Sequence, residues 1–118
     1  MREYKKKYLK ILRIEIEDLQ EDIGDLIEES KKESETGTLS QYVFLENLVI
    51  FRKELLSLGV FFKVLDSIDP DKFKSLDEMI DFIRSNFMEK MKECGLIHAI
   101  CNFVERKLMK VKKYVVQE

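Results

Sequence analysis

Only one proline and four glycines punctuate the 118 residues of this chain. Turns are built largely from those two residue types, and a β-rich fold needs many turns. The shortage predicts an all-α protein made of a few long helices. Its length fits one domain, residues 1–118, large enough to bury an apolar core without disulfide or metal staples.

Apolar periodicity supports that reading. Leu9, Leu12, Ile16, Leu19, Ile23 and Leu26 alternate at spacings of three and four, the rhythm of a coiled-coil or bundle seam. It predicts a first helix over residues 3–34, with Gly24 on its solvent side. Thr38-Leu-Ser-Gln41 fits a capping box that opens a second helix over residues 39–67. The seam of that helix is Phe44, Leu48, Phe51, Leu55, Leu58, Phe62 and Leu65. Leu45, Val49, Leu56, Val60, Phe61 and Val64 fall off the seam, so apolar residues cover more than half of the circumference. Asp69-Pro-Asp breaks the chain, and Ser75-Leu-Asp-Glu78 is a second capping box that restarts it.

Gly95 leaves two architectures open. Either one third helix runs over residues 76–116, or Gly95 ends it as a left-handed cap and a fourth helix follows. Charge favours the first. Residues 2–13 carry six basic and one acidic side chain, and residues 84–118 carry eight basic and four acidic. Residues 14–35 carry ten acidic and two basic side chains, and residues 66–83 carry six and two. A continuous third helix faces acid with base at both ends, whereas a reversal at Gly95 brings the two basic segments together. The expected fold is therefore an antiparallel up-and-down bundle of three long helices, with a four-helix bundle as the variant.

Formal net charge is −2, which implies no general polyanion or polycation partner. High Lys, Glu and Ile with only three glutamines leans toward a thermophilic source. Cys94 and Cys101 stand seven residues apart, roughly 10 Å along a helix. That is too far for a disulfide, so two free thiols and a cytoplasmic location are expected. The first residues lack an uninterrupted apolar h-region, and the apolar run 42–65 carries five charges, so neither a signal peptide nor a membrane span is expected.

His98 is the sole histidine, too few for the two Glu-x-x-His pairs of a di-iron bundle or a Cys₂His₂ zinc site. Cys94, His98, Cys101 and Glu105 share one helical stripe but cannot converge on one metal from a single helix. The acidic run from Glu15 to Glu29 meets only Glu46 and Glu54 on the second helix, which does not supply a Mg²⁺ site. No metal, no cofactor and no catalytic residue is therefore expected.

Three functional readings remain, in this order. The first is a non-catalytic interaction or scaffold module that self-associates or binds a partner protein through the second helix. Its interface candidates are Leu45, Val49, Leu56, Val60, Phe61 and Val64. The second is a nucleic-acid-associated subunit that contacts phosphates through Lys5, Lys6, Lys10, Lys107, Lys110 and Lys113, with Tyr4, Tyr8 and Tyr114 interleaved. The third is a small enzyme centred on His98.

Overall fold

A computed structural model describes residues 2–96 and 100–117. Four α-helices account for nearly all of them: α1 (Arg2–Glu35), α2 (Gln41–Asp66), α3 (Leu76–Glu93) and α4 (Ile100–Gln117), with a 3-10 turn at Pro70–Lys72. The all-helical bundle expected from the turn count is present, and the choice at Gly95 falls to the four-helix form. Gly95 has φ +70°. Its N–H donates to Lys92 O at 3.1 Å, and Leu96 N–H donates to Met91 O at 2.8 Å. This pair of bonds is a Schellman motif, which satisfies the last carbonyls of α3 and turns the chain back. A helix over residues 76–116 would need Gly95 in the right-handed region instead. The segment after the cap, Ile97 to Ala99, lies outside the described residues and includes His98.

The caps set the other boundaries. Ser75 Oγ accepts from Glu78 N at 3.1 Å, as the capping box requires. At the start of α2 the cap is Ser40 rather than Thr38, with Ser40 Oγ accepting from Val43 N at 3.1 Å. Gly37, at φ +81°, takes the chain out of α1 first. The Thr38 hydroxyl meets that of Thr36 instead, at 3.1 Å.

Helix lengths decide the architecture. At 1.5 Å per residue α1 spans about 51 Å, whereas α3 and α4 span about 27 Å each; the molecule is 54 × 32 × 18 Å. The short pair therefore covers only part of the long pair, and named contacts locate that part. Tyr8 Oη donates to Leu108 O at 2.9 Å. Phe61 and Phe87 meet edge to face at 5.0 Å and 88°, a geometry that adds to their burial. Arg13 pairs with Asp66, and Arg84 forks onto Glu105 with two bonds of 2.8 Å.

Burial follows the same division. The core takes Tyr8, Leu12, Ile16 and Ile23 from α1, and Leu58, Phe61, Val64 and Leu65 from α2. It takes five residues of α3, from Met79 to Met91, and five of α4, from Ile100 to Val115. No residue from Gly24 to Glu35 is buried, and none from Gln41 to Leu56. The protein is thus a four-helix body with a two-helix hairpin projecting from it.

Two glycines test this account. An added Cβ at Gly24 meets nothing within 4 Å on a helical backbone, whereas Gly95 has positive φ. Gly24→Ala is expected to raise stability by about 0.5–1 kcal/mol, and Gly95→Ala to lower it by about 1 kcal/mol. Urea denaturation with matched slopes measures both.

Candidate interaction surface

The six interface candidates on α2 divide between two environments. Phe61 and Val64 are core residues, 0% and 1% exposed, and Val60 is half-buried. They lie in the segment of α2 covered by the body. Leu45, Val49 and Leu56 are 50%, 55% and 62% exposed. Tyr42, Val43 and Ile50 join them on the surface, and sequence analysis did not single these three out. For Tyr42 the signal was available, because Tyr42, Leu45, Val49 and Leu56 keep the three–four–seven spacing of one helical face, whereas Val43 and Ile50 lie beyond Glu46 and Lys53 on another side of the helix.

That face exists because the hairpin has only two layers. Phe44, Leu48, Phe51 and Leu55 are half-buried, as befits the side of α2 that meets α1. Tyr42, Leu45, Val49 and Leu56 lie about a third of a turn from that side, with no helix beside them. Farther along, the stripe runs into an open groove of about 600 Å³ lined by Arg52, Leu55, Leu56, Gly59, Val60, Lys63, Cys94 and Leu96. Gly59 leaves open space on its side of the helix, since a Cβ there would touch nothing within 4 Å. Cys94 is exposed and Cys101 half-buried, and both are free thiols.

The basic candidates are gathered at the other end of the molecule. Because α4 runs antiparallel to α1, Lys110, Val111 and Tyr114 lie beside Ile11 and Glu15. The like charges are largely accommodated one by one. Lys5 is 5% exposed, and its ammonium donates to Phe73 O, so it is not presented to a phosphate. Lys107 and Lys110 both hold Glu15 Oε1, at 3.1 and 2.8 Å. Lys112 pairs with Asp77 at 2.7 Å, and Lys7 lies 5.8 Å from the Tyr114 ring centroid. Lys6, Lys10 and Lys113 remain at the surface. Tyr8 is fully buried and belongs to the core; burial pushes its phenol well above the ordinary tyrosine range. Tyr4 and Tyr114 are about half exposed.

Among the described residues no three His, Cys, Asp or Glu side chains converge as metal ligands. The acidic run of α1 is spread along its surface, with Glu17, Asp18, Glu21, Asp22, Asp25, Glu28 and Glu29 all exposed. No described helix is long and apolar enough to cross a membrane. No known family model, curated protein or solved structure matches the chain.

Glu15 is the acid that holds the basic end together. The hydrogen bond from Lys110, with that from Lys107, keeps its carboxyl below the usual carboxylate range, against a smaller opposing effect of burial. A folded-state value below the unfolded one gives stability that is full at neutral pH and lost as pH falls through the folded value. Glu15→Gln is expected to cost about 0.5–1 kcal/mol at pH 7 and nothing below the carboxylate range. Thermal melts of both proteins from pH 7 to pH 3 should converge at the acid end.

Proposed function

We propose that this protein is a non-catalytic helical interaction module, and that its working surface is the exposed stripe of α2 on the projecting hairpin. One observation carries the reading: Tyr42, Leu45, Val49 and Leu56, on one face of α2, are each half or more exposed on a segment that neither α3 nor α4 covers. Scattered surface apolar residues are ordinary, but a contiguous apolar face on an extended element marks an association site. The four-helix body supplies the rigid base from which the hairpin projects.

The mode implied is helix against helix, with anchors at alternating three- and four-residue intervals. Exposed anchors contribute nothing to folding while they face water. When covered, the exposed half or more of each is worth about 1–2 kcal/mol before the losses of association. The basic end is less suited to this role, because its most central lysines, Lys5 and Lys107, are already engaged within the chain.

Val49→Glu combined with Leu56→Glu tests the reading. Both sites are on the surface, so the melting temperature is expected to move by no more than about 3 °C. Association of the tagged protein, with itself or with co-purifying proteins, is expected to fall by at least about tenfold, because burying two new charges is costly. Quantitative affinity capture with light scattering reads both. Unchanged association of a folded double variant would contradict the proposal.

A further inference from the structure

We infer that the occupant of the α2 stripe, Tyr42, Leu45, Val49 and Leu56, is the same stripe of a second copy of this chain, packed antiparallel about a two-fold axis level with the Val49–Ile50 peptide. The inference rests on reading the stripe as an association surface, and it names the partner. Three features of the surface carry it.

The first is charge. Glu46 and Lys53 flank the apolar stripe on one side, both are exposed, and neither makes an ion pair among those recorded for the described residues. They lie at equal offsets, about 5 Å, on either side of the Val49–Ile50 midpoint. A two-fold axis level with that midpoint sets Glu46 against Lys53 of the second copy, twice per dimer. Flanking positions in antiparallel helix pairs select register in this way. A parallel pairing in register would instead stack Glu46 on Glu46 and Lys53 on Lys53.

The second is shape. Tyr42 is the most exposed large side chain of the stripe, at 74%, and stands about 11 Å before the midpoint. The open groove floored by Gly59 is centred near residues 57 and 58, about the same distance beyond it. The axis defined by the charges thus also brings each Tyr42 ring level with the groove of the other copy, at its Leu56 and Val60 edge. A protruding ring and a hollow on one surface, equidistant from one axis, are what a self-complementary isologous contact needs.

The third is the arrangement of everything else. α1 packs on the seam side of α2, so pairing along the stripe keeps the two acidic α1 surfaces on the outside of the assembly. The union of two hairpins is a four-helix layer in the order α1–α2–α2–α1, with the bodies at opposite ends.

Charge exchange tests the register. Sedimentation equilibrium of the wild-type chain is expected to show a concentration-dependent shift from 14.1 kDa to twice that mass. Glu46→Lys and Lys53→Glu should each weaken the dimer by about tenfold or more, since each replaces two attractions by two repulsions. The double variant should recover wild-type affinity to within about threefold, and an equimolar mixture of the two single variants should form the mixed dimer. Circular dichroism confirms that each variant is folded. A wild-type chain that stays at 14.1 kDa at every concentration overturns the inference, as does a double variant no tighter than the singles. The broader reading fails separately: a monomer whose partner capture is abolished by Val49→Glu with Leu56→Glu retains the module and loses only the second copy.

Discussion

The left-handed turn at Gly95 is the constraint on which the rest of the molecule depends. It divides what periodicity alone would carry as one helix of some forty residues into two of 18, and folds them side by side. Two short helices give the N-terminal half of α1 and the C-terminal half of α2 neighbours on several sides, and leave the other halves with only each other. The dense core, the projecting hairpin and the exposed stripe all follow from that division. With a continuous third helix, cover would extend along the whole of α1 and α2.

The reversal has an electrostatic cost, because it brings the basic start of α1 beside the basic end of α4. The structure offsets it locally. Glu15 accepts two lysines, Asp77 a third, and the Phe73 carbonyl takes Lys5. Segment charge counts indicated a mismatch, but pairs form between individual atoms. One well-placed carboxylate answers two cations, and a backbone carbonyl answers another without appearing in any charge sum. The packing gained by folding α4 back, five fully covered side chains from Ile100 to Val115, outweighs repulsions worth tenths of a kcal/mol per pair.

Much of the fold was legible in the residues. The α1 seam was correctly placed as far as Ile23, because three–four spacing depends only on helix geometry. The break at Pro70 and the Ser75 cap were legible for the same local reason. Tyr8 and Lys5 were not. Each stands among lysines and reads as solvated, yet each has a long apolar stem whose polar tip finds a backbone carbonyl. On α2 the surplus of apolar residues was visible, but not which of them are covered. Phe61 and Val64 point to the side of α2 that α3 covers, whereas Val49 and Leu56 lie roughly 100° around the helix from them, on a side where even Val60, beside the body, is only half-buried. The candidate surface was therefore half legible: its helix was identified, and its extent was not.

The proposed association places contact with another chain on the hairpin and not on the four-helix body. Hydrogen–deuterium exchange as a function of protein concentration measures this segment by segment. At low concentration the amides of residues 24–35 and 41–56 should exchange fastest among the helical interiors, since no buried side chain anchors them. On raising the concentration from micromolar toward millimolar, protection should grow in residues 41–60 while α3 and the C-terminal half of α4 stay unchanged. Protection that does not respond to concentration, or that rises instead along α3 and α4, would contradict the account.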